Sequence, residues 1–74
     1  MKEIDIHTDT ITLSQFLKWA SIAQTGGEAK LLIQQGLVFV NGKLQTQRGK
    51  KLKEDDMVQV KGYPEEFIVK RKNI

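Results

Sequence analysis

The sequence predicts an α+β domain in which two short helices cover one face of a small, mainly antiparallel sheet. Three observations point there. Two capping boxes each open a segment with helical spacing, Thr12-Leu13-Ser14-Gln15 and Thr25-Gly26-Gly27-Glu28. A Val38-Phe39-Val40-Asn41-Gly42 run gives the strongest short hairpin signal. Short alternating stretches stand near both ends of the chain. One helix stripe and one sheet face bury each other in such a layer arrangement.

The elements follow in order. Glu3 to His7 alternates, with Ile4 and Ile6 on one side and Glu3, Asp5 and His7 on the other, so it reads as a half-buried strand. Thr12 caps the first helix, and Ile11 and Phe16 have the spacing of a hydrophobic staple. Leu13, Phe16, Leu17 and Ala20 share one face, Lys18 points nearly opposite, and Trp19 lies on the border. The periodicity fades after Ile22 and Ala23. In the second helix Ala29, Leu32 and Ile33 form the inward stripe, with Leu31 at its margin. Gly36 is placed for a left-handed cap. This helix has about three turns and begins with two glycines, so tertiary packing has to hold it.

Asn41-Gly42 predicts a type I′ turn, with Lys43 and Leu44 on the return strand. Gln45 to Lys51 is polar and aperiodic, hence a loop, and Leu52 is a lone apolar anchor. Asp55-Asp56 reads as a solvated turn before a strand at Met57 to Lys61, in which Val58 and Val60 share a face. Gly62-Tyr63-Pro64 breaks that strand. Phe67 to Val69 reads as a last edge strand, and Lys70-Arg71-Lys72 as a frayed end. Phe39 is out of phase with Val38 and Val40, and packing under the C-terminal segment is the expectation for it.

The whole of 1–74 is expected to form one domain, with its core motif at about 12–60. The chain is short, so its core is thin and leaves no room for a deep substrate cavity. It has no cysteine, which suits a cytoplasmic setting and removes thiolate metal sites. The start, MKEIDIHTD, is acidic and does not read as a secretory signal. No stretch approaches the roughly 20 apolar residues of a membrane span. His7 is the one histidine, on a polar strand face far in sequence from any nucleophile. Neither a P-loop nor a nucleophile elbow is present. These absences point away from an enzyme and from any metal or cofactor.

Charge carries the functional signal. Of twelve Lys and Arg residues, six lie between Glu28 and Lys53 (Lys30, Lys43, Arg48, Lys50, Lys51, Lys53), against Glu28 as the lone acid. The net charge of +3 is therefore a local patch on a nearly neutral body. An ordered patch of that sign suits a polyanion. Arg48 offers a planar fork of donors, and Lys50 and Lys51 offer mobile charge. Gly49 allows close backbone approach, and Gln45, Thr46 and Gln47 add neutral donors. Lys30 and Gln34 form a polar edge beside the buried stripe of the second helix. Gly26 and Gly27 leave that helix's N-terminus bare, where free N–H groups can take a phosphate, with Glu28 opposing. No row of aromatic platforms appears, which favours folded RNA over a single strand.

The chain resembles the S4 RNA-binding domain family in its small stand-alone bacterial form. The resemblance rests on Leu13-Ser14-Gln15-Phe16-Leu17, Glu28-Ala29 with Leu32-Ile33-Gln34-Gln35-Gly36, and Val38-Phe39-Val40-Asn41-Gly42-Lys43, closed by Leu52 and Asp56-Met57-Val58. It implies an S4-like fold of the alpha-L type and non-catalytic binding of structured RNA, often ribosomal RNA, through the second helix and the loop after the hairpin. On this chain that means Lys30, Lys43, Arg48, Lys50 and Lys51. It further implies a role in ribosome assembly or maturation, on rRNA or a pre-ribosomal particle, for a cytoplasmic protein expected to be a monomer. Two cations common in the family are replaced here, by Thr12 and by Gly26-Gly27, which shifts the expected contact toward the Arg48 loop. Two other readings stand beside this one. Paired short helices can imitate a DNA-binding helix-turn-helix, and a basic patch can dock an acidic protein.

Overall fold

A computed structural model describes residues 1–72. Five strands form the main sheet: β1 (Lys2–Ile6), β3 (Val38–Val40), β4 (Lys43–Leu44), β6 (Met57–Val60) and β7 (Phe67–Arg71). Their spatial order is β1-β7-β6-β3-β4. The β1–β7 pair is parallel and the other three pairs are antiparallel. A second, two-stranded ribbon joins β2 (Ile11–Thr12) to β5 (Lys51–Leu52). The helices are α1 (Leu13–Trp19) and α2 (Gly26–Gln34).

Both predicted N-caps form. Thr12 Oγ1 accepts from Gln15 N–H at 3.4 Å, and Thr25 Oγ1 from Glu28 N–H at 3.1 Å. Gly36 has φ +75, and it sits in a six-residue Schellman closure: Leu37 N–H donates to Leu32 O and Gly36 N–H to Ile33 O. α1 ends earlier than its periodicity predicts. Ser21 takes φ 61, with Ile22 N–H donating to Leu17 O and Ser21 N–H to Lys18 O. The same closure thus stops α1 without a glycine. The chain then turns so that Ile22 and Ala23 enter the core from a connection rather than from the helix.

The helices and the inner sheet face share one core. Leu13, Phe16, Leu17, Ala29 and Ile33 pack with Val38, Val58 and Val69, and Leu52 closes the cluster from β5. Leu32, placed in the inward stripe by spacing, is half-buried at the core's edge, and Ile33 is the fully buried member. Asn41 (φ 51) and Gly42 (φ 82) form the expected left-handed turn.

Three expectations are corrected. First, β7 is an interior strand, flanked by β1 and β6, because β1 pairs with it in parallel along five residues. Second, Lys70-Arg71-Lys72 is not a frayed end. Lys70 and Arg71 lie within β7, and ion pairs anchor Lys70 to Asp55 (2.9 Å), Arg71 to Asp9 (2.8 Å) and Lys72 to Asp5 (3.3 Å). Third, Asp56 is buried rather than part of a solvated turn. Its carboxylate takes hydrogen bonds from Lys53 N–H at 2.9 Å and Asn41 Nδ2 at 3.1 Å. Phe39 is half-buried, out of phase with the core-facing Val38 and Val40. It stands opposite Leu44 and Gln59, and β6 separates it from the C-terminal strand.

Candidate nucleic-acid interface

The loop between β4 and β5 carries Arg48, Lys50 and Lys51, and its backbone is anchored. Leu13 N–H donates to Lys50 O at 2.8 Å, and Ser14 N–H to Arg48 O at 3.1 Å. These are two of the N–H groups that a helix leaves unsatisfied at its start. The loop therefore satisfies α1, and α1 in return fixes the loop. Gln47 N–H closes on Gln45 Oε1 at 3.0 Å, and Lys50 N–H on Gln47 O at 3.2 Å. The pairing of Lys51 with Thr12 and of Leu52 with Ile11 extends the anchorage. The sequence shows only an aperiodic loop here, because a two-residue ribbon has too few positions to show alternation.

Arg48, Lys50 and Lys51 are exposed, as are Lys30, Gln34 and Lys43. Among the described residues, Lys30, Lys43, Arg48, Lys50 and Lys51 form no ion pair, whereas Lys53, Lys70, Arg71 and Lys72 each do. Lys53 lies 3.5 Å from Asp56, so it is the one predicted contact residue whose charge already has an acid partner. Its position is nonetheless informative. Asp56 also holds Asn41, and Met57 N–H donates to Asn41 Oδ1 at 2.9 Å, so Lys53 and the turn before Lys43 belong to one network.

Lys43 pairs with Val40, which puts it on the helix-covered side at the edge of the sheet. β4 returns past the end of α2, where Leu44 Cδ1 lies 3.9 Å from the place a Cβ on Gly36 would take. Lys30 and Gln34 lie one turn apart on α2. Among the described residues, no hydrogen bond or ion pair joins them to the Arg48 loop. The two regions connect through α1, which packs on α2 and receives the loop at its first turn.

A Cβ on Gly26 would meet nothing within 4 Å, and one on Gly27 only Thr25 Oγ1 at 3.8 Å. Packing therefore does not require glycine at either position. Glu28 stands in the same first turn as the only acid there.

Burial by itself would push the Asp56 carboxyl up. The Lys53 N–H, the Asn41 amide and the Lys53 ammonium outweigh that and hold it below the usual carboxylate value. Lys70 is held above its usual value, first by its hydrogen bond to Asp55 and then by that carboxylate's charge. Neither group belongs to the free cationic set.

Trp19 does not stand out as a contact residue in the sequence. It is 61% exposed, and its Nε1–H donates to Asp5 O at 2.8 Å, tying the end of α1 to β1. The border position on the helix was the available signal. Among the described residues no group of three or more His, Cys, Asp or Glu is placed to hold a metal, and no helix is long and apolar enough to cross a membrane.

Comparison with known proteins agrees with this geometry. The profile of the S4 domain family matches residues 4–69. The chain is 43% identical over 60 residues to the probable ribosome maturation protein RlbA of Bacillus subtilis (strain 168), covering 81% of this chain and 84% of that protein. Among solved structures it is similar to the 30S ribosomal protein S4e of Thermoplasma acidophilum, with a TM-score of 0.56 and 22% identity. That match covers 74% of this chain and 29% of the other, and it supports the fold alone. Capped helix pair, glycine stop, Asn-Gly hairpin and anchored basic loop all fall inside the matched span, and the chain belongs to the S4 domain family.

Proposed function

We propose that the chain binds structured RNA without catalysis, ribosomal RNA or a pre-ribosomal particle, and acts in ribosome maturation in the cytoplasm. One observation carries the reading: Arg48, Lys50 and Lys51 bear unpaired charge on a backbone already fixed by two hydrogen bonds to α1. A rigid cationic loop loses little conformational entropy on meeting phosphates, so more of the electrostatic gain appears as affinity. Family membership and the name of the Bacillus subtilis relative support the choice of RNA and of ribosome maturation.

In this reading Arg48 grips a phosphate or a base edge with its planar fork. Lys50 and Lys51 neutralise neighbouring phosphates. Lys30, Gln34 and Lys43 extend the contact along α2 and the hairpin, and the bare N–H groups at Gly26 and Gly27 offer a further place for a phosphate oxygen. Lys53 adds least, being paired with Asp56.

The test is the double substitution Arg48→Ala with Lys51→Ala. Both side chains are exposed, and the anchoring bonds use backbone atoms, so the fold is expected to persist. Affinity for ribosomal RNA fragments is expected to fall at least about tenfold, or about 1.4 kcal/mol. Unchanged affinity would take the loop out of the interface. Parallel titrations with duplex DNA and with an acidic protein at the same salt separate RNA binding from its two rivals. Equal affinity for duplex DNA would overturn the RNA assignment.

A further inference from the structure

We propose that Trp19 and the groove beside it form a seat for one unpaired nucleobase of the bound RNA. The proposal rests on the RNA-binding reading of the Arg48 loop and adds a second, chemically different contact to it.

The groove holds about 520 Å³ and opens between β1, the segment after it, and α1. Ile6 and Ile11 contribute its apolar surface, Trp19 and Gln15 stand along α1, and Lys18 and His7 add polar heads. The volume falls within the ~300–1,000 Å³ of pockets that take small ligands. Core packing does not explain the exposure of Trp19. Its one polar atom is satisfied by Asp5 O, so the surface the indole exposes is apolar ring. The same bond fixes the ring's orientation, and stacking on it costs little further ordering.

The chemistry around the ring selects the ligand. An apolar floor and a fixed aromatic plane suit a flat heterocycle. The Gln15 amide can both donate to and accept from a base edge. Lys18 forms no ion pair among the described residues, and no acid lines the groove. The nearby acids are occupied, Asp5 by Lys72 and Asp9 by Arg71. A purely apolar peptide side chain would leave Lys18 and Gln15 unused, whereas a nucleotide uses both.

Position makes the contact continuous with the basic loop. Gln15 follows Ser14, whose N–H holds Arg48 O, and Ile11 pairs with Leu52 next to Lys51. The groove and the basic loop are therefore held by the same two segments, β2 and the first turn of α1. One platform cannot bind a run of stacked bases, and it fits a single base displaced from a folded RNA.

Trp19 is the sole tryptophan, so its emission reports directly on the seat. The probes are a hairpin RNA carrying a bulge of three adenosines and the same hairpin with three abasic nucleotides in the bulge. Charge and backbone are equal, and only the bases differ. The adenosine hairpin is expected to quench Trp19 and to bind about tenfold tighter than the abasic one. Trp19→Phe keeps a π face and is expected to retain that preference within about threefold. Trp19→Leu keeps apolar bulk and is expected to abolish the preference while leaving abasic binding unchanged. Equal affinities without quenching, with Arg48→Ala still weakening both hairpins, would overturn the base seat and leave the loop's role standing. No binding of either hairpin would overturn both. The two-hairpin comparison uses the unaltered protein, so it decides the question even if the leucine variant misfolds.

Discussion

The carboxylate of Asp56 joins two segments that are distant in sequence. It accepts from Lys53 N–H and from Asn41 Nδ2, while Asn41 Oδ1 accepts from Met57 N–H. Asn41 therefore does more than permit a tight turn: it fixes the hairpin's tip against the start of β6. Magnitudes identify which partner matters. The Lys53 ammonium sits 3.5 Å away on a side chain 75% exposed, a geometry worth less than about 1 kcal/mol. Removing the carboxylate instead leaves the Lys53 N–H and the Asn41 amide without their acceptor. Asp56→Ala is thus expected to cost about 1–3 kcal/mol in denaturant unfolding, and Lys53→Ala well under about 1 kcal/mol. A larger loss for Lys53→Ala than for Asp56→Ala would show that the ion pair, not the hydrogen bonds, holds the turn. The pH dependence follows from the same bonds. The folded carboxyl ionises below its unfolded value, so its contribution is complete above that value, about 3.9, and is lost as pH falls through the folded one. Unfolding midpoints measured between about pH 6 and pH 2 are expected to fall on the acid side, and Asp56→Asn to flatten that fall.

Both helices end in the same left-handed closure, but only one of them advertised it. Gly36 has φ +75, and an added methyl would meet only Leu44 Cδ1 at an ordinary 3.9 Å. Gly36→Ala is expected to cost about 1–2 kcal/mol from backbone conformation alone. Ser21 holds φ 61 with an exposed side chain that forms no hydrogen bond among the described residues. There the substitution runs the other way. Relief of about 1–2 kcal/mol of left-handed strain is partly offset by about 0.4–1 kcal/mol of unfolded-chain entropy, so Ser21→Gly is expected to stabilise by about 0.5–1 kcal/mol in thermal or denaturant unfolding. A destabilised Ser21→Gly variant would mean that the serine side chain has a role in the closure. The contrast shows what was legible. Thr12, Thr25, Gly36 and Asn41-Gly42 act through local chemistry, and local chemistry is written in order along the chain. Ser21 takes its conformation because Ile22 and Ala23 must turn into the core, and no short-range pattern records that demand. The β2–β5 ribbon, the interior place of β7 and the burial of Asp56 depend likewise on partners many residues away. The candidate site divides the same way: the basic residues could be named from charge, but the anchoring of their loop on α1 and the exposure of Trp19 needed the fold.

Across the molecule, the cations sort into two sets by what they already touch. Lys70, Arg71 and Lys72 stitch β7 and the segment after it to Asp55, Asp9 and Asp5, and Lys53 serves Asp56. Lys30, Lys43, Arg48, Lys50 and Lys51, with Lys2, Lys18 and Lys61, form no such pairs among the described residues. Sequence composition weighs all of these alike, whereas an incoming polyanion does not. A phosphate approaching Arg71 must compete with a carboxylate 2.8 Å away, while one approaching Arg48 meets no paired carboxylate among the described residues. Salt dependence turns this difference into a number. If Lys30, Lys43, Arg48, Lys50 and Lys51 each neutralise one phosphate of a structured RNA, log Kobs should fall with log salt at a slope between about −3.5 and −4.5. Arg48→Ala is expected to lower the size of that slope by about 0.7–0.9, because one counterion fewer is released. Arg71→Ala is expected to leave the slope unchanged and to act, if anywhere, on stability through the lost contact with Asp9. Titrations from about 50 to 200 mM salt on one ribosomal RNA fragment read both effects together. Equal slope changes for Arg48→Ala and Arg71→Ala would mean that the bound RNA breaks the pair with Asp9 and that the interface extends onto β7.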